Sequence, residues 1–335
     1  MPDSTSPIRW GILGPGGIAH AFARDLPQAE NARLVAVASR SKARAEAFGA
    51  EYGLDPARCL EGYAALAADP EVDAVYVATP HPMHFEDTLL CLRSGKAVLC
   101  EKPLTLNAGQ AQTLVDTARE AGTLLVEAMW TRWIPAVARA RELVRAGTIG
   151  EVQLVTASFG IHADHDPQHR LFNPALGGGA LLDLGVYPVS FASMILGDPE
   201  TVQASGHLTP EGVDDQVGLL LGHSGGRLAV LTCASRTETR HEAIIYGSAG
   251  HIEVGPPFFH ARQLTLSRAG QEPEVMSFPF EGGYQFEANE VGRLLRAGAT
   301  ESEVMPLNES VAVMRTLDRA RAQLGVQYPG EEARA

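Results

Sequence analysis

The stretch that most constrains the fold starts at residue 8. An apolar run, residues 8–13, passes into Gly14-Pro15-Gly16-Gly17-Ile18-Ala19 and then into helix-like sequence as far as Leu26. A glycine loop between a strand and a helix turns tightly and lets a ligand approach the backbone, while the helix N-terminus beyond it favours negative charge. Ala19 leaves room for the helix to pack against the strand. The GxGxxA spacing in this context points to a dinucleotide pyrophosphate held at Gly14, Gly16, Gly17 and Ile18.

The strand–helix unit then repeats. Strands are expected at residues 33–38, near Cys59, and at 72–78, 97–100 and 124–127, with helices at 42–52, 63–68, 85–94 and 108–121. Such alternation implies a parallel, doubly wound α/β sheet of the Rossmann type, whose ligands bind at the carboxyl ends of the strands. At the second of those ends stands Ser39-Arg40, where an NAD site usually places an acidic residue against the ribose hydroxyl. A hydroxyl and a guanidinium suit a 2′-phosphate instead, so NADP is the expected cofactor, with NAD possible. A solvated basic turn is the competing reading. The fourth strand ends in Thr79-Pro80-His81-Pro82-Met83-His84, a stiff turn at the same edge. Thr79 and His84 are candidates for the cofactor side and His81 for the substrate. Each histidine could equally cap or pack.

The fifth strand ends in Cys100-Glu101-Lys102-Pro103. A lysine there, followed by a proline that fixes the backbone, falls at the ligand-binding edge, so Lys102 is a candidate catalytic residue and, with Glu101, a candidate for the cofactor side; an ordinary surface lysine is the competing reading. After Ala128-Met129-Trp130 the alternation stops, which divides the chain into residues 1–127 and 128–335. A length of 335 residues suits two domains. The second part reads as a helix at 135–146 and consecutive strands at 151–159, 201–207, 216–221, 228–234, 241–246 and 251–254. That order implies an α+β domain with a mainly antiparallel sheet, open on one face and suited to homodimerisation or higher assembly. Helices at 286–297 and 310–324 are expected to cover this second sheet. Trp130 and Phe159 are candidates for the wall of a substrate pocket, with simple packing as the alternative for the tryptophan.

Asp183 and Tyr187 lie four residues apart, so on a helix they share one face. Pro188 should kink that helix just after the tyrosine. A phenol beside an ammonium group forms an acid/base pair, because the positive charge brings the phenol down from about 10. His162, His165 and His169 match no standard metal-ligand spacing, and no metal is expected. The four cysteines are widely spaced and read as buried free thiols. A net charge of −13 argues against nucleic acid or an anionic membrane as partner. No apolar run is read as long enough to span a bilayer, and the polar N-terminus lacks the order of an export signal, so a cytoplasmic location is the expectation.

Taken together, the glycine loop Gly14 to Ala19, Glu101-Lys102-Pro103 and Asp183-Leu184-Gly185-Val186-Tyr187 resemble the Gfo/Idh/MocA oxidoreductase family across nearly the whole chain. Met129-Trp130-Thr131-Arg132, Gly178 to Gly185 and Gly212-Val213-Asp214-Asp215 are most similar to the dimeric dihydrodiol dehydrogenase and NADP-dependent D-xylose 1-dehydrogenase branch. Tyr187 stands where many relatives have histidine, and His81 where an asparagine is common. The resemblance implies hydride transfer between a sugar or cyclic diol hydroxyl carbon and the nicotinamide. Tyr187 would take the hydroxyl proton, Lys102 would lower its pKa and bind the substrate oxygen, and Asp183 would orient one of them. A cofactor-sensing regulator and an NAD-dependent glycosidase of related fold are the alternatives.

Overall fold

In the computed structural model, residues 6–331 are described, and they divide into two compact units. The first unit contains residues up to Thr105, Gly109–Trp130 and Glu281–Val311; the second contains Leu106–Ala108, Thr131–Phe280 and the remainder from Ala312.

In the first unit the elements run β1 (Ile8–Leu13), α1 (Gly17–Asp25), β2 (Ala32–Ser39), α2 (Lys42–Glu51), β3 (Cys59–Glu61), α3 (Tyr63–Ala67), β4 (Ala74–Val77), α4 (His84–Arg93), β5 (Ala97–Glu101), α5 (Ala108–Ala121) and β6 (Leu125–Ala128). All strands pair in parallel in the order β3-β2-β1-β4-β5-β6. Every residue of β4 and β5 is buried, as expected of central strands covered on both faces by crossover helices, and so is every residue of the edge strand β6. Trp10, Phe22 and Tyr76 form an aromatic stack inside this unit, with Phe22 and Tyr76 4.0 Å apart and 16° from parallel.

The second unit contains α6 (Pro135–Arg145), β7 (Val152–Gly160), a π-helical turn (Leu181–Gly185) leading into α7 (Val186–Leu196), then β8 (Thr201–Leu208), β9 (Asp214–Gly222), β10 (Leu228–Ala234), β11 (Ala243–Gly247), β12 (Gly250–Val254), β13 (Gln263–Arg268) and β14 (Glu274–Ser277). Its eight strands lie in the order β14-β13-β12-β11-β7-β10-β9-β8, antiparallel except where β10 runs parallel to β7. In β10 buried and exposed residues alternate from Leu228 to Cys233, because α7 and the π turn cover one face of the sheet.

Three expectations are corrected. Residues 281–311 return to the first unit, so the division into 1–127 and 128–335 does not describe how the chain is shared. There α8 (Gln285–Ala297) buries Ala288, Val291 and Leu294, and Asn289 accepts the Glu30 N–H at 2.7 Å. α8 therefore does not cover the second sheet. Loss of alternation marks where a βα pattern stops but not where a later amphipathic helix docks. α9 (Leu307–Leu324) straddles the division at Val311. Second, β13 and β14 were not expected; β14 is only four residues long and largely exposed at the sheet edge. Third, one helical stretch, Pro174–Leu196, is long and apolar enough by composition to cross a membrane, with a mean hydropathy of 1.5. It is 83% buried inside the protein, so its apolar surface is spent on packing.

Candidate functional site

The strand order of the first sheet reverses between β1 and β4, and the glycine loop leaves β1 at that point. Gly14 has φ +85°, and a side-chain carbon there would lie 2.8 Å from Thr79 Cγ2, so glycine is required twice over. Gly16 precedes α1 with no side-chain cap on the helix, and a side chain on exposed Gly17 would meet nothing within 4 Å. The first amides of α1, at Gly17, Ile18 and Ala19, thus begin a helix with no acidic residue in its first turn. Uncapped amides beside open space are what a pyrophosphate needs, so the residues present fit a dinucleotide.

At the end of β2, Ser39 is 5% exposed and its hydroxyl accepts the Ser41 N–H at 3.2 Å. The hydroxyl is engaged within its own turn, which leaves exposed Arg40 as the cationic donor at this edge. No carboxylate replaces it at that strand end. Asp87 on α4 and Tyr63 both titrate above their ordinary range because they are buried, and the Arg40 charge opposes that rise in each.

Both ring nitrogens of His84 are taken by the main chain rather than left open to a cofactor. The residue is fully buried, with Nδ1 2.8 Å from the Pro103 carbonyl and Nε2 2.7 Å from the Thr79 carbonyl. The ring braces the end of β4 against the Lys102–Pro103 segment, which contains a cis peptide bond. Burial pulls this histidine down to about 4, although both carbonyls favour the proton. A neutral ring donates to only one of them, and here desolvation outweighs the second bond. His81 packs edge-on against it, with ring centres 5.6 Å apart.

Lys102 is half-buried at the end of β5. Beside it, Glu101 is 6% exposed and accepts hydrogen bonds from the Tyr76 hydroxyl and from the Lys102 N–H, the latter at 3.1 Å. Its carboxylate thus shapes the lysine segment from within. Glu287 of α8, wholly buried, was not legible as part of this cluster. Burial and then the Glu101 charge push its carboxyl well above the carboxylate range. Trp130 stacks on Tyr284, with ring centres 4.6 Å apart and planes 8° from parallel. Its indole face is therefore covered by a neighbour on at least one side.

In the second unit, Asp183 lies in the π turn and Tyr187 in the first turn of α7, rather than both on one regular α-helix. The wider turn sits just before Pro188, which has no N–H to offer. Gly185 lets the turn lie against β10: a side-chain carbon there would be 2.8 Å from Cys233 Sγ. Arg132, 2% exposed, donates to the Ser190 hydroxyl at 3.0 Å and to its carbonyl at 2.8 Å, tying α7 to the start of this unit. Asp183 is 3% exposed and accepts from Arg170 Nη1 at 2.8 Å. Arg170 escaped notice in the sequence because an exposed arginine in a polar loop carries no periodic signal.

Tyr187, 8% exposed, meets an aromatic wall. Phe159 lies edge-on to it at 5.2 Å and stacks on Phe259 at 4.2 Å, and Phe259 is 5.7 Å from the phenol ring. His241 joins both phenylalanines at 5.0 and 5.6 Å, held by its Nε2 on the Gly160 carbonyl at 2.6 Å. Its φ of 51° is rare for a residue with a side chain. Phe259 and His241 were also missed, since they come from a loop and a strand entry far apart in sequence. His162, His165 and His169 turn to separate partners, Arg236, Glu211 and the Leu171 amide. Among the described residues no three His, Cys, Asp or Glu side chains are grouped to hold a metal ion.

Two family models match in tandem. Residues 8–128 match an oxidoreductase family with an NAD-binding Rossmann fold, and residues 137–253 match the GFO/IDH/MocA C-terminal domain. The chain belongs to the Gfo/Idh/MocA oxidoreductase family. Within the family it is 39% identical to trans-1,2-dihydrobenzene-1,2-diol dehydrogenase of Mus musculus, covering 97% of this chain and 99% of that protein. It is 37% identical to the NADP(+) D-xylose 1-dehydrogenase of Hypocrea jecorina, over 96% and 93% of the two chains. Among solved structures, a 3-ketoreductase from Actinomadura kijaniata in complex with NADP and TDP-benzene is 29% identical, covering 95% of this chain and 98% of its own, with a TM-score of 0.82.

Proposed function

We propose that the protein is an NADP-dependent dehydrogenase that oxidises a hydroxyl carbon of a sugar or cyclic diol, reversibly, to the carbonyl. The observation that carries this reading is Tyr187: a phenol on a helix whose neighbouring carboxylate is ion-paired, set beside the stacked rings of Phe159 and Phe259. Apolar rings of that kind suit the face of a sugar or a cyclic diol. NADP is supported by exposed Arg40 at the end of β2, and by the relatives that are named for or bound to NADP.

When bound, the nicotinamide would supply the acceptor for a hydride from the substrate carbon. The protein handles the proton and the charge. Tyr187, as phenolate, takes the hydroxyl proton as the carbon–hydrogen bond breaks, so one hydride and one proton leave and a carbonyl forms. The role that the family resemblance implies for Lys102 is to favour that phenolate and hold the substrate oxygen; within the second unit the Arg170 to Asp183 pair keeps the start of the tyrosine's helix in register. A screen of aldoses, polyols and trans-diols with NADP and with NAD, followed by absorbance of the reduced cofactor, tests the reading. Turnover of a sugar or diol with NADP is the expected result. Tight NADP binding without turnover of any of them would instead make the protein a sensor.

The reading extends to assembly and location. Leu220, Leu228 and Val230 are 40%, 41% and 44% exposed, and Val230 pairs with Leu220 across β10 and β9. This apolar stripe on the open sheet face suits a second copy of the chain. Val230→Glu should lower the mass measured by light scattering from that of an oligomer to that of one chain. Four unpaired, buried cysteines are consistent with a reducing, cytoplasmic setting.

A further inference from the structure

The helix that carries Asp183 and Tyr187 is entered through the turn Gly177 to Gly179, and the buried groups beneath that turn have so far been given no role. Asp214, the first residue of β9, is wholly buried. Its Oδ2 accepts the N–H of Leu181, the first residue of the π turn, at 2.6 Å. Its Oδ1 faces Gly179, where a side-chain carbon would come within 2.6 Å of that oxygen. Gly179 has φ +121°, so only glycine gives both the turn and the close approach of the carboxylate. From the other side the Tyr328 hydroxyl donates to the Gly178 carbonyl at 2.6 Å, and the Arg321 guanidinium lies over the Tyr328 ring at 4.9 Å.

A buried carboxylate on the first amide of a helix satisfies a donor that has no partner within the helix, and it complements the positive end of the helix dipole. We propose that Asp214 is a positioning residue for the reaction: with Tyr328 it fixes the start of the helix and hence the register in which Asp183 and Tyr187 are presented. This rests on Tyr187 acting as the proton acceptor.

The groups that face Asp214 are Asp215 beside it, Arg321 on α9, Tyr328 near the chain end and the Cys233 thiol on β10. Burial lifts the Asp214 carboxyl from 3.8 to about 6, while the Leu181 amide and the Arg321 charge pull the other way. Between those two values the folded chain binds a proton that the unfolded chain has already lost. Ionising Asp214 as pH rises therefore lowers stability, and the fold retains the charge at neutral pH against that cost. A group kept for packing alone would be better neutral.

That contrast gives the test, made on the full chain with NADP and either D-xylose or trans-1,2-dihydrobenzene-1,2-diol, whichever the screen shows to be turned over. Asp214→Asn keeps an acceptor for Leu181 but removes the charge. It is expected to melt no lower than wild type at pH 8, to lose about tenfold in kcat with KM and NADP affinity within about twofold, and to lack the step in kcat near pH 6 that wild type should show. Tyr328→Phe, which removes only one hydroxyl, should lower kcat about threefold with KM unchanged. Wild-type kcat and pH profile in Asp214→Asn, or equal losses of stability and activity, would overturn the proposal. Tyr187→Phe, run in parallel, separates the two readings. If it is inactive while Asp214→Asn is normal, only the positioning role fails; if it turns over normally, the role of Tyr187 fails first.

Discussion

The two sheets offer different kinds of candidate ligand-binding features. In the parallel sheet the features that suit a dinucleotide are largely main chain: a glycine forced to φ +85°, a helix start with no side-chain cap, and one exposed arginine. In the mixed sheet the equipment is side chains gathered from distant segments: Tyr187 from α7, Phe159 from β7, Phe259 from a loop and Arg170 from another. A main-chain cradle is local in sequence and general in what it binds. A side-chain constellation is non-local and specific, so substrate choice can change without disturbing the cofactor side.

If this division of labour holds, side-chain loss in the second unit should hit the chemical step and spare cofactor binding. Tyr187→Phe should lower kcat by roughly a thousandfold while NADP still binds, as followed by the quenching of tryptophan fluorescence. A comparable loss of NADP affinity would show that the two sides are not separable. Lys102→Met tests the boundary of the comparison, since that residue belongs to the cofactor unit but is assigned to the substrate oxygen. Its kcat should fall by about a hundredfold with NADP affinity nearly unchanged.

Arg40→Ala should weaken NADP binding by about ten- to a hundredfold and NAD binding hardly at all, as the loss of one charge-assisted contact to a phosphate implies. Equal effects on both cofactors would remove the guanidinium from the site. The smallest expected change is in stability against pH. His84 is held near 4 by burial, below its ordinary 6.5, so as pH falls through that window the unfolded chain gains a proton that the folded chain refuses. The His84 contribution to stability should drop by about 2 kcal/mol between pH 7 and pH 5. Urea unfolding of wild type and His84→Gln at the two pH values checks it, since the variant should lack that share of the loss.

Much of the first unit was legible in advance, because buried parallel strands are continuous apolar runs and glycine loops leave a local signature. The return of α8 was not, since the apolar stripe Ala288, Val291 and Leu294 says that a helix is covered but not by which sheet. In the candidate site, the spacing of Asp183 and Tyr187 pointed to one helix, and the residues do lie along one continuous helical stretch. The π turn that carries Asp183 was hidden, as it depends on how Gly185 meets Cys233 and on the missing N–H of Pro188. His84 was misread because a histidine at a strand edge looks the same in sequence whether it faces a ligand or two carbonyls.

The cysteines have a practical consequence. All four are free and buried, and burial pushes the Cys91 thiol up to about 12, so reactive thiolate is scarce in the folded chain. The protein thus carries its own unfolding reporter: a maleimide dye added during a heating ramp would label the chain only as it opens, with no engineered probe.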